Sequence, residues 1–186
     1  MFLFGHVGIT LAIIYLLVRF FSPYHKPQGK PFIETMDFRV ILIGAMIPDI
    51  VDKILGMVIF KEEIANGRIL THSAIILVFF TLSVVNIAQI KIKFSHLKYF
   101  VLPPFIHLLL DRLWEDPHTL LWPILGSSYS RLNIEIGDYF PILISNPYIY
   151  ISEIIGAAII AFLFVKSKLY IKANFRAYLK KGTLKI

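Results

Sequence analysis

Gly44-Ala45-Met46-Ile47-Pro48-Asp49-Ile50-Val51-Asp52 sets two carboxylates and a proline inside an apolar run that otherwise reads as a membrane span. Ionisable groups at that depth are costly, so they face a protein interior and serve a function there. The other polar residues in apolar surroundings are His6, His72, His107 and Asp111. If all six converge, they have the composition of a hydrolytic metal centre.

The remaining composition frames that reading. The chain has 186 residues, 57% of them hydrophobic and 15% aromatic, and a mean hydropathy of +0.72. A soluble core of this length needs far less. An integral membrane protein is expected, a single all-α domain over residues 1–186 with short loops. The absence of cysteine rules out disulfides, thiolate zinc sites and thiol nucleophiles together. The net charge of +7 is tested first as a topology signal, and no nucleic-acid partner is expected.

Periodicity and breakers divide the chain into about five membrane-spanning helices. The first runs from Phe2 to Phe21; without a basic leader or a small-residue cleavage site, it is expected to be retained. A linker carrying Pro23, Pro27, Gly29 and Pro31 follows, and a second span from Phe38 to Phe60 contains the Pro48-Asp49 interruption. Thr71 is the expected cap of a third span from His72 to Ile90. The fourth segment, Tyr99 to Leu113, is short, holds Pro103-Pro104, and is expected to be tilted or broken. After an aromatic interfacial loop, Pro147 marks a kink before a last crossing from Tyr148 to Val165. The basic tail, 166–186, interleaves Tyr170, Phe175 and Tyr178 and suits an interfacial helix.

Charge sets the expected orientation. Of the 19 Lys and Arg, all but Lys53, Lys61, Arg68, Arg112 and Arg131 fall on one side of such a bundle. The positive-inside rule then puts the amino terminus outside the cell membrane and the tail in the cytoplasm. His6, the second half of span two, the Arg68-to-Ser73 entry of span three and the His107-to-Asp111 end of span four all fall toward the outer face.

Asp49 and Asp52 are three apart, and His107 and Asp111 four apart, so each pair shares a helix face. Imidazole with carboxylate suits zinc or another divalent transition metal, in one or two ions. Such an ion lowers the pKa of bound water and polarises a phosphoryl or carbonyl oxygen. Arg68, one turn before His72, supplies the charge a phosphate substrate requires. Thr71 and Ser73 are placed to hydrogen-bond behind the ligands.

His6, Gly44-x-x-x-Pro48-Asp49-x-x-Asp52, Arg68-x-x-Thr71-His72-Ser73 and His107-x-x-x-Asp111 with a following Trp-Pro loop resemble the membrane-bound metal-dependent hydrolases. These are also known as LexA-binding, inner-membrane-associated hydrolases, and are distantly similar to zinc-dependent phospholipase C. The resemblance implies a helical metal site acting on phosphoester bonds. It also implies His6, Asp49, His72, His107 and Asp111 as ligands, with Asp52 either a ligand or a group behind one. Glu153 is the candidate substitute for the His-x-x-x-Glu pair that ends the phospholipase pattern.

On this reading the enzyme cleaves a phosphoester of a phospholipid or lipid-linked phosphate at the outer side of the membrane. Asp52, or another carboxylate not bound to the metal, is the expected general base and Arg68 the phosphate clamp. Blander roles exist for each residue alone: a capping histidine, carboxylates satisfying a kinked backbone, a snorkelling arginine. Glu153 is balanced between a functional acid and a helix-packing hydrogen bond, and His118 reads as a loop residue. Two rival functions use the same cluster, an ion or proton pathway and a non-catalytic partner-binding protein.

Overall fold

The computed structural model describes residues 1–21, 36–90, 97–126 and 139–184. The first linker, Lys91, Lys93, Arg131, His25 and His96 lie outside the described residues. Those described form an all-helical structure without strands: α1 (Leu3–Phe21), α2 (Phe38–Lys53), α3 (Ala74–Ile90), α4 (Leu102–Leu110), α5 (Pro117–Leu120), α6 (Tyr139–Ser145), α7 (Pro147–Lys166) and α8 (Lys172–Lys181). Among them α1 and α7, of 19 and 20 residues, are long and apolar enough to cross a membrane.

These two helices pack in parallel. Phe2 to Gly5 meet Glu153, Gly8 meets Gly156, and Lys166 lies over the Tyr15 ring. The approach is so close that a Cβ on Gly8 would overlap the Gly156 backbone, and one on Gly156 would overlap the Phe4 carbonyl. With no hydrophobic drive between helices in lipid, such backbone proximity is what holds them together. Glu153 strengthens the pair by accepting the N–H groups of Phe2, Phe4 and Gly5, each at 2.9 Å. It thus satisfies donors that the first turn of α1 leaves without helical partners. Glu153 is therefore a helix-packing group here and does not complete the metal cluster.

The second expected span departs from the sequence reading in an informative way. α2 passes through Pro48 and then widens into a π-helical turn over Ile54–Ile59. Pro48 has no N–H to give, and side chains from other segments use the carbonyls around it. His107 Nδ1 lies 2.7 Å from Ala45 O, and Thr71 Oγ1 donates to Pro48 O at 2.9 Å. The widening coincides with Gly56, where a Cβ would overlap the Asn66 carbonyl.

The start of α3 corrects the expected cap. Ser73 Oγ accepts from Ile76 N at 3.3 Å and Ser73 O from Leu77 N at 2.9 Å, so Ser73 caps the helix. Thr71 is committed to Pro48, and His72 sits just before the helix. In α4, Pro103 and Pro104 fall in the first turn, where a missing N–H breaks no hydrogen bond, so they start the helix. Nine residues are too few for a crossing on their own. Pro147 likewise begins α7, capped by the Asn146 side chain on Tyr148 N at 3.0 Å.

The far end of the molecule is tied by Asp37 and Arg39. Asp37 caps α2 through Arg39 N and binds the Arg39 guanidinium at 2.7 and 3.0 Å, while Arg39 Nη1 donates to Leu179 O at 2.6 Å. Gly182, with φ +73°, ends α8 beside this clamp and accepts from Phe38 N at 2.8 Å. Burial alone would raise the Asp37 carboxyl, but the Arg39 hydrogen bonds and charge hold it below the usual carboxylate value. Its contribution is therefore present above a pH of about 3.9 and is lost as pH falls through the lowered value. Leu184 then tucks into the core with Val7, Leu11, Phe38, Ile41 and Leu163.

Gly8→Val is expected to destabilise the α1 and α7 pair by about 3 kcal/mol or more, since backbone atoms must move to admit the side chain. Thermal unfolding in detergent measures it, with Leu16→Val, on the outward-facing surface of α1, as the control. An unchanged Tm for Gly8→Val would refute this packing.

Candidate metal centre

The interrupted stretch of α2, the turn before α3 and the end of α4 meet at one point. Asp49, His72, His107 and Asp111 are all buried, and each presents a ligand atom within 4.8 Å of those of the other three. His72 Nε2 and His107 Nε2 are 3.4 Å apart. Asp49 Oδ1 lies 3.8 and 3.9 Å from these two nitrogens, and Asp111 Oδ2 lies 3.7 Å from the His72 nitrogen. Ligand atoms about 3.4 Å apart are what a tetrahedral ion with bonds near 2.0 to 2.1 Å requires, so the cluster closes on an ion with small adjustments.

Hydrogen bonds at the outer ring edges fix the tautomers. Ala45 O can only accept, so His107 Nδ1 carries the proton and Nε2 keeps its lone pair. His72 Nδ1 lies 2.8 Å from Asp52 Oδ2, which leaves His72 Nε2 as its free atom too. Two lone pairs and two carboxylate oxygens thus face a common centre. Such an arrangement is repulsive until a cation or proton stands among them. A shared proton satisfies the imidazole pair, whereas a divalent ion satisfies all four groups.

Asp52 does not join the cluster. It is fully buried, and its two oxygens accept from the N–H groups of Ile69, Leu70, Thr71 and His72 at 2.8 to 3.1 Å as well as facing the His72 ring. It holds the whole turn that delivers His72. Sequence spacing put Asp49 and Asp52 on one helix face, and they do share it, one on each side of the His72 imidazole.

His6 reaches the cluster from α1. Its ring stacks on His107, centroids 3.8 Å apart and planes 14° from parallel. His6 Nε2 is 3.0 Å from Asp111 Oδ1 but off the line of a hydrogen bond, so both nitrogens of this fully buried ring lack a hydrogen-bond partner. The terminal amine of Met1 lies 2.7 Å from the same oxygen. Arg68 Nη2 donates to Asp111 Oδ2 at 2.7 Å, with its side chain about two-fifths exposed. The expected ligands His6, Asp49, His72, His107 and Asp111 are therefore neighbours, with Arg68 at their edge.

Sequence reasoning missed two participants. Lys53 Nζ pairs with Asp49 Oδ2 at 2.9 Å, a partner visible in the i, i+4 spacing but taken as a topology charge. The Ala45 carbonyl had no signal in the sequence. Ser73 Oγ donates to Trp122 O at 2.5 Å, which ties the loop after α5 to the turn before α3. His118 stands apart from the cluster, exposed, with its Nδ1 3.3 Å from Leu125 O.

The profile of the YdjM inner membrane protein family matches residues 1–177. The chain belongs to that family. Its location is therefore the membrane, and this YdjM-family chain carries a buried His/Asp cluster able to hold a metal ion. No curated protein and no solved structure matches it.

Asp52→Asn is expected to weaken Zn2+ binding by about 10- to 100-fold, because the amide cannot accept as the carboxylate does from the backbone and His72 together. Titration calorimetry of the purified protein checks it. Affinity equal to wild type would mean that the turn holds without Asp52.

Proposed function

We propose that this chain is a membrane-embedded, metal-dependent hydrolase that cleaves a phosphoester of a phospholipid or lipid-linked phosphate at the outer side of the membrane. The observation that carries the reading is the pair of tautomer-fixed Nε2 atoms, 3.4 Å apart and flanked by Asp49 and Asp111. The reaction class is taken from the resemblance of Pro48-Asp49-x-x-Asp52, Arg68-x-x-Thr71-His72-Ser73 and His107-x-x-x-Asp111 to the motifs of membrane-bound metal-dependent hydrolases. Zinc fits the all-nitrogen-and-oxygen donor set, in one or two ions. Bound there, a divalent ion supplies a Lewis acid and an activated water.

The chain's own residues have distinct tasks. Asp49, His72, His107 and Asp111 hold the ion, and His6 stands next to Asp111 as a further ligand. Asp52 was expected to act as general base, but its oxygens are occupied by backbone donors and His72, so it orients that ligand. Arg68 reaches out from Asp111 and takes the phosphate.

Helix directions support about five crossings with the amino terminus outside and the tail in the cytoplasm. Since α1 and α7 run in parallel, an odd number of crossings separates them, and α2, α3 and the segment ending in α4 supply three. Arg39 and Leu179, both placed on the cytoplasmic side by charge, are hydrogen-bonded to each other. The partner is then the surrounding lipid.

Elemental analysis and a phosphatase and phospholipase panel test the proposal on wild type and Asp49→Ala. Wild type should hold stoichiometric metal and turn over at least one phosphoester, with Asp49→Ala reduced by at least about 100-fold in activity. Wild type that neither retains metal nor binds added Zn2+ would sink the reading. Proton or metal flux in proteoliposomes, abolished by Asp49→Asn, would replace it with a transport pathway.

A further inference from the structure

Two basic side chains occupy the accessible edge of the cluster, one on each carboxylate. Lys53 Nζ is 2.9 Å from Asp49 Oδ2, and Arg68 Nη2 is 2.7 Å from Asp111 Oδ2. Lys53 is 37% and Arg68 41% exposed, while the carboxylates they bind are 6% and 3% exposed. They stand at the same mouth, because the Lys53 stem passes Gly67, whose added Cβ would meet Lys53 Cγ at 3.1 Å. Gly67 immediately precedes Arg68.

Charge balance decides what this pairing does. Without a metal, Asp49 is matched by Lys53, and Asp111 by the Met1 amine on its inner oxygen and by Arg68 on the other, so Lys53 and Arg68 act as the cations on the oxygens at the mouth. A divalent ion held by the same carboxylates claims their charge. The mouth is then left with two cationic side chains whose carboxylate partners are shared with the ion, on long, part-exposed stems able to turn outward.

We propose that Lys53 and Arg68 form a metal-gated anion site, closed on the ligand carboxylates in the metal-free protein and opened toward a phosphate group when the ion binds. This rests on the metal-centre reading and names its substrate class as a group carrying about two negative charges, a terminal phosphate. A zwitterionic phosphodiester matches it less well. Arg68 supplies the planar fork, and Lys53 a second, mobile point charge. Metal and phosphate each bind more tightly when the other is present, because the coupling free energy is shared.

The test uses the purified full chain in detergent, with Zn2+, inorganic phosphate, and micelles doped with phosphatidic acid or phosphatidylcholine. Inorganic phosphate is expected to bind the Zn2+-loaded protein at least about tenfold more tightly than the metal-free protein. Lys53→Met is expected to raise Zn2+ affinity by about threefold or more, by removing a competing cation, while weakening phosphate binding to the loaded protein by about tenfold. Lys53→Arg should restore phosphate binding, which a purely structural lysine would not require of its charge.

Binding of inorganic phosphate alone would mark a soluble phosphate compound as the ligand. A requirement for phosphatidic acid would mark a lipid headgroup, and either outcome supports the site. If wild type binds Zn2+ but Lys53→Met changes neither affinity, the anion site is wrong and the metal centre stands. If wild type binds no Zn2+, both readings fall.

Discussion

The structure around the cluster depends on one buried carboxylate that never enters it. Asp52 gathers four successive N–H groups, from Ile69 to His72, and the His72 ring onto two oxygens. A buried turn between two apolar helices has no helical or sheet partner of its own for those donors, and no water reaches them. Asp52 solves both problems at once: it makes the irregular backbone tolerable at depth and aims His72 Nε2 inward. Everything downstream, including the 3.4 Å meeting of the two imidazoles, follows from that anchor.

Around this anchor the polar groups divide by direction. Those behind the rings, Asp52 and the Ala45 carbonyl, accept protons and so turn lone pairs toward the centre. Those at the mouth, Lys53 and Arg68, donate and hold the remaining carboxylate oxygens. Acceptors inside and donors outside give the site a polarity, and that polarity is set by which oxygen of Asp49 and Asp111 each neighbour uses.

Much of this was legible in the sequence because ionisable residues inside apolar runs are rare enough to be conspicuous. His6, Asp49, His72, His107 and Asp111 could be picked out one by one against apolar neighbours, and they lie together. Their division of labour was harder to read. Spacing alone does not tell Asp49 from Asp52; the path of the chain through 69–72 commits Asp52 to backbone donors and leaves Asp49 in the cluster. Prolines misled in the same way: Pro103 and Pro147 look like breaks, yet each falls in a first helical turn where it begins the helix. Thr71 was the expected cap, but it is committed to Pro48, and Ser73 caps α3 instead. In each case the deciding partner is distant along the chain, where local pattern carries no information.

The grip of Glu153 on the first turn of α1 bears on the order of synthesis. The Gly5 N–H and the carboxylate that receives it are separated by 148 positions. As the chain emerges, α1, α2, the turn before α3 and α4 can bring His6, Asp49, His72, His107 and Asp111 together, but the helix bearing His6 keeps an uncapped leading turn until α7 arrives beside it. The last long helix is thus the closing piece of a cluster whose residues all precede it, and a truncated product carries those residues without the clamp that seats the first of them.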